Sequence, residues 1–215
     1  MIRKIYKILG YLPSAPKTLL FNFHYFPFST AIKLPVYVSP HVKFERLKGK
    51  VVLHEIRSGC VRIGYQSGNA KTKWHNEGLI EFLGNADLRG GCSVWARGHL
   101  KIGSEFTINT ASALVAGNKV TIGSKVLLSS DITIIDSDFH QIYDSSGVHI
   151  NASSPIEIGD HVWMGYRSMV LKGSKIPSGS VVGAGSIVTK KFDQENIILA
   201  GSPAMIKKEN ISWKR

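Results

Sequence analysis

Only two cysteines, Cys60 and Cys92, occur in 215 residues. Two thiols make no disulfide framework, so the fold must rest on its own core, and the expected compartment is a reducing one, the cytoplasm. Long apolar runs are missing as well, and none approaches the ~20 residues of a membrane-spanning helix. Lys7 interrupts the N-terminal apolar run before it reaches the length of a signal-peptide core. Acid is the scarcest charge: 15 Asp and Glu stand against 27 Lys and Arg, a net +12. Residues 1–50 hold nine basic residues and one acid, Glu45, so eight of the twelve net charges sit there. Such a surplus draws polyanions: nucleic acid, an anionic membrane surface or a phosphate-rich small molecule. No nucleic-acid-binding motif accompanies it, which sets the first aside. The start, "MIRKIYKILGYLP", puts Ile2, Ile5, Ile8 and Leu9 on one side of a short basic helix. Two expectations follow, a peripheral contact of residues 1–12 with the inner face of a membrane, or packing on the protein itself.

What the chain does have is a count of six. From Ile158 an aliphatic residue recurs at Met164, Val170, Ile176, Val182 and Val188. Four places after each from Ile158 to Val182 stands Val162, Ser168, Ser174, Ser180 or Ser186, and the next residue is often Gly or Pro (Gly159, Gly165, Pro177, Gly183). Helices repeat near 3.6 residues and strands near 2, so neither makes this pattern. A solenoid of three-sided coils does, with one large side chain per side filling the axis and small residues at the corners. Upstream the beat runs Phe82, Leu88, Val94, Leu100, then Ile102, Ile108, Leu114, then Ile122, Leu128, Ile134. The two-residue slips after Leu100 and near Asn118 predict small corner bulges. Before Phe82 the beat fades, and "NAKTKWHNEG" reads as a loop. Cys92, four after Leu88, reads as a core thiol.

Counting on from Ile134 lands on His140, Ser146 and Ala152, which a dry core would not choose together. The polar segment 136–155 is therefore expected to loop out of the solenoid, where function concentrates.

The string "IEIGDHVWMGYRSMVLKGSKIPSGSVVGAGSIVTK", followed by "AGSPAMIKK", resembles the hexapeptide-repeat acyltransferases, closest to galactoside, maltose and capsular-polysaccharide O-acetyltransferases. The resemblance covers roughly residues 80–208. It implies an all-β fold, a left-handed parallel β-helix over 51–190, with a basic N-terminal extension (1–50) and a short C-terminal tail (191–215). The left hand comes from the family alone. It also implies a homotrimer with active sites between subunits, acetyl-CoA as donor, and a sugar or polysaccharide-precursor acceptor.

Residue by residue, "DSDFHQI" matches the family's loop histidine, so His140 is the expected catalytic base, facing a cleft between subunits. The chemistry asks for one, because a sugar hydroxyl is a poor nucleophile until its proton is taken. Asp136, Asp138 or a backbone carbonyl would fix its tautomer. By the same resemblance Asn109 and Trp163 line the acceptor and acetyl region, Gly165 and Ala184 leave room for the donor's arm, and Lys190 and Lys208 meet its phosphates. A backbone N–H near Gly165 is the expected oxyanion donor. Where galactoside-type enzymes have an acidic residue this chain has Gly117, which points away from galactosides and toward a surface-polysaccharide precursor. Two alternatives stand beside this: an N-acetyltransferase for an amino-sugar nucleotide, and a β-helical scaffold without catalysis. The trio His140, His149 and His161 raises a metal site of the kind found in related carbonic anhydrases. No metal is expected, because His161 falls in a corner slot, typical of a solvated polar residue.

Overall fold

A computed structural model describes residues 12–66 and 70–215. The apolar stripe Ile2, Ile5, Ile8 and Leu9 lies outside the described residues. The remainder is a prism of stacked coils whose strands form three sheets, one per face, parallel except for the last strand of the first. Stacking is in register, so each face has a column of inward side chains. On the first face the column is Val38, Ile63, Leu88, Ile108, Leu128, Met164, Val182, Leu199. The second runs Phe44, Trp74, Val94, Leu114, Ile134, Val170, Val188. The third runs Leu53, Phe82, Ile102, Ile122, Ile158, Ile176. The six-residue lattice is thus the axis of the prism, as expected.

The slips are not bulges. Across the second-to-third corner the middle coils carry two extra residues, and these simply lengthen the strands on either side. Ala96 pairs with Ala116 and Leu100 with Val120, all four buried. The coil grows from 18 residues to 20 without losing register.

The stack also starts earlier than residue 51. Val36–Val38, Val42–Leu47 and Lys50–Leu53 are the first strands of the three faces, so residues 36–50 belong to it. At the other end the first face continues past 190 through Ile198–Ala200. "NAKTKWHNEG" is not a loop either, since Thr72–Asn76 is a strand and Trp74 is fully buried. These early coils escape the count because their register steps are irregular, from Val38 to Ile63 and from Phe44 to Trp74.

Corners are built from small groups. The hydroxyls of buried Ser168 and Ser174 donate to the carbonyls of Gly165 and Val188 at 2.8 and 3.0 Å. At the third-to-first corner, a Cβ on Gly123 would sit 2.6 Å from the backbone of Gly159 in the next coil. Only glycine allows that approach. Cys92 is a core thiol, as expected. Burial pushes it up to about 11, and its Sγ lies 3.1 Å from the Asn109 carbonyl.

A strand stack has open edges, and unpaired edge groups are costly. The helix Ala15–Tyr25, begun by Pro16 near its N-terminus, closes the first. Asn22 and Thr18, one helical turn apart, act as a substitute strand. Asn22 donates to the Val36 carbonyl (2.7 Å) and accepts the Val36 N–H (3.2 Å), and Thr18 does the same for Val38 (3.2 and 3.0 Å). Phe21 packs edge-on against Trp74, with ring centroids 5.3 Å apart.

The break in the middle is capped by the same logic. In the regular coil, the N–H groups of Arg97, Gly98 and His99 donate to carbonyls of the next coil, Ala116 and Asn118. Twenty residues on, Gly117, Asn118 and Lys119 have no such carbonyls above them, because the chain leaves the prism. The carboxylate of fully buried Asp136 takes all three, at 2.6, 2.9 and 2.6 Å.

Two substitutions check these caps by chemical denaturation. Asn22→Ala strands a donor and an acceptor and should cost about 2–4 kcal/mol. Asp136→Ala strands three N–H groups and should cost about 3 kcal/mol or more, with Asp136→Asn falling between it and the parent. Losses within about 0.5 kcal/mol for either alanine variant, the size of an ordinary surface change, would contradict the capping role.

Candidate active site

The segment between Thr133–Ile135 and Ile156–Ile158 leaves the prism as a hairpin arm. Tyr143 faces His149 across it, and Ile150 N–H reaches the Ile142 carbonyl at 2.9 Å. Asn151 holds the base of the arm: its Oδ1 accepts the Ile142 N–H at 2.7 Å, and its Nδ2 donates to the Asp138 carboxylate and the His140 carbonyl, both at 2.8 Å. Lys172 ties Asp138 to the prism, and together these donors hold the Asp138 carboxyl below its ordinary value, Lys172 contributing most. Phe139 packs edge-on to Trp95 (4.5 Å) with its backbone in the left-handed region, φ +58°. A bulky residue in that conformation is a strained turn, often found beside functional groups. It is the turn that aims the next residue, His140.

His140 lies exposed beside an open cavity of about 250 Å³ lined in part by Arg97, Gly117, Phe139, His149 and Asn151. Its Nδ1 stands 3.2 Å from the Asp138 backbone carbonyl. A carbonyl only accepts, so the proton belongs on Nδ1 and the lone pair is left on Nε2. Of the three expected tautomer partners, the carbonyl fills the role. Asp136 does not, being committed to the coil, and the Asp138 carboxylate faces Lys172 and Asn151.

None of the other expected site residues lines this cavity. Asn109, Trp163 and Gly165 occupy the first face and the corner that follows it, with Ala184 in the next coil against Gly165. There Trp163 is partly exposed, its Nε1 3.2 Å from Ser129 Oγ. The Asn109 side-chain oxygen is buried without a hydrogen-bond partner. A Cβ on Gly165 would lie 2.7 Å from the Ala184 nitrogen, so the coil itself demands glycine there. The Gly165 N–H is already given to the Val182 carbonyl at 2.8 Å, and it is not a free oxyanion donor. Lys190 and exposed Lys208 stand at the far end of the stack, where the Lys190 ammonium lies 5.3 Å from the centre of the Phe192 ring. Gly117 has no room for an acidic side chain, since a Cβ would lie 2.9 Å from Ser137 and 3.1 Å from the Phe139 ring.

His161 is not a solvated corner residue. The indole of Trp213 stacks flat on it at 4.1 Å, and each residue hydrogen-bonds the other's carbonyl, at 3.0 and 3.1 Å. The tail thereby brings Trp213 to within 6.1 Å of Trp163. Nothing in the spacing of the sequence signals this return, which spans 52 residues. Among the described residues no group of three or more His, Cys, Asp or Glu is disposed to hold a metal ion.

No protein-family model matches the chain. It is 31% identical to a putative lipopolysaccharide biosynthesis O-acetyl transferase of Escherichia coli K12, over 65% of this chain and 76% of that protein. It is 33% identical to a galactoside O-acetyltransferase of the same organism, over 52% of this chain and 54% of the relative, so it spans about half the length of that protein. The crystal structure of the polySia specific acetyltransferase NeuO superposes with a TM-score of 0.65 and 29% identity, covering 81% of this chain and 72% of the other. The in-register coils, the extruded histidine arm and a relative matched over three-quarters of its length together place the chain in the hexapeptide-repeat acyltransferase family of left-handed parallel β-helix proteins.

Proposed function

We propose that this chain is a sugar O-acetyltransferase that moves an acetyl group from acetyl-CoA to a hydroxyl of a surface-polysaccharide precursor, in the cytoplasm and as a homotrimer. The observation that carries the reading is His140, held at the break in the solenoid with Nδ1 on a backbone carbonyl and Nε2 open to the cavity. Nε2 takes the proton of the acceptor hydroxyl as its oxygen attacks the thioester carbonyl. When the C–S bond breaks, the imidazolium returns that proton to the leaving thiolate. The products are an O-acetyl sugar and free CoA, and the histidine ends as it began.

The arrangement on one chain supports a shared site. His140 stands on the arm that leaves the second-to-third corner, whereas Trp163, Gly165 and Asn109 belong to the first face and its corner. In a cyclic trimer the arm of one copy reaches the first face of the next. The arm's apolar side chains fit such a neighbour, for Ile142, Tyr143, Val148 and Ile150 are 53–59% exposed. Lys190 and Lys208 would meet the donor's phosphates. Asn109, which follows the strand Phe106–Ile108 of the same face, would line the acceptor side.

The reading is tested by transfer of labelled acetyl from acetyl-CoA to a panel of oligosaccharides and one amino-sugar nucleotide. His140→Ala should lower turnover roughly 10²–10⁴-fold while donor binding, read by calorimetry, persists. Parent activity should fall in mildly acidic buffer, because a general base acts only while its lone pair is free. Asp138 contributes nothing in that window. Its pKa is depressed, so its hold on the arm is complete above the ordinary carboxylate range and is lost only on further acidification. Near-normal turnover in His140→Ala, or product acetylated on nitrogen alone, would overturn the proposal.

A further inference from the structure

The capping helix has a second side. Its inner residues, Thr18, Phe21 and Asn22, are buried on the first coil. Outward stand Leu19, Leu20 and Phe23, 45%, 54% and 47% exposed. Phe23 meets Phe28 at 6.0 Å between ring centres, and Phe28 and Ile32 extend the surface at 72% and 55% exposure. Among the described residues these five large apolar side chains stand uncovered at the same end of the prism. Isolated surface leucines are ordinary, but a joined patch of this kind marks a contact surface.

The charge around the patch says what it contacts. Residues 1–44 contain no Asp or Glu at all. Lys33 follows Ile32 directly, and Lys48 and Lys50 line the cavity beside His24 at the same end; all three are exposed. An apolar surface of Leu, Ile and Phe rimmed by lysine is the chemistry of a surface-lying helix on an anionic bilayer. No helix among the described residues is long and apolar enough to cross a membrane, so the helix would lie in the interface. We infer that the outer side of the cap, from Leu19 to Ile32, docks the protein on an anionic lipid surface. In a cyclic trimer with parallel coil axes the three patches would face one plane and bind together. Docking itself requires neither the trimer nor the acetyl-transfer chemistry.

Vesicle sedimentation of the full chain tests this, using phosphatidylcholine alone and phosphatidylcholine mixed with phosphatidylglycerol. Binding to the mixed vesicles alone is expected, weaker at high salt. The double variant Phe23→Ser, Phe28→Ser should bind roughly tenfold more weakly or worse, with thermal unfolding and acetyl transfer to a free oligosaccharide unchanged. A second variant, Lys33→Glu with Lys48→Glu, should lose binding with every apolar contact kept, and serves where the first fails to fold. Absence of binding by the parent would overturn the inference. So would equal binding by the variants, which would assign the contact to another segment. A serine variant that changes the number of copies in light scattering would make the patch a contact between chains instead.

Discussion

Every coil of this molecule is satisfied by the coil beside it, and by little else. Parallel stacking pairs backbone N–H and carbonyl groups with the neighbouring coil, 20 residues away in the middle of the stack and 18 near its end, and the same stacking buries one column of side chains per face. The arrangement propagates easily but cannot end easily, because any missing neighbour exposes a row of backbone groups. Three polar devices meet that demand. Thr18 and Asn22 imitate a strand at the first edge, the Asp136 carboxylate replaces absent carbonyls at the central break, and an antiparallel return, Met205–Lys208 on Ile198–Ala200, closes the first face.

The proposed chemistry grows out of the second device. Once Asp136 secures the coil, the residues between it and Ile156 leave the lattice, and a histidine can be carried away from the axis on an arm fixed by Asn151 and Lys172. A rigid prism cannot bend its first face round to meet that arm. The geometry of one chain therefore separates the base from the proposed donor and acceptor groups, and a neighbouring copy is what would rejoin them. The cap makes a similar bargain at the other end, satisfying the edge with its polar inner side and leaving an apolar outer one.

Much of this was legible in the residue pattern. The axis from Phe82 to Val188 follows from the count of six, since one inward side chain per face repeats it directly. The 20-residue coils looked like slips because a lengthened strand and a corner bulge both shift the count by two. The first coils stayed hidden, as the irregular steps between them dilute any period and place Trp74 inside a polar string. The break itself pointed to His140, although its role came from the resemblance. Asp136 was misplaced for a physical reason: a carboxylate that substitutes for carbonyls and one that orients an imidazole look alike in sequence. The Gly165 N–H and the Trp213 stack could be found only from the register and from the path of the tail.

The central claim, that one catalytic site is built from two copies of the chain, is tested most directly by mixing two inactive forms. One carries His140→Ala, the other both Asn109→Ala and Trp163→Ala, and the two are co-expressed and purified as mixed assemblies. Random assembly in a cyclic trimer leaves about one interface in four with an intact arm facing an intact first face. The account predicts that acetyl transfer returns to roughly that fraction of the parent rate, from two chains that are each inactive alone. Mixed trimers that remain as inactive as their parents would show that each chain supplies its own complete site, and would contradict the account.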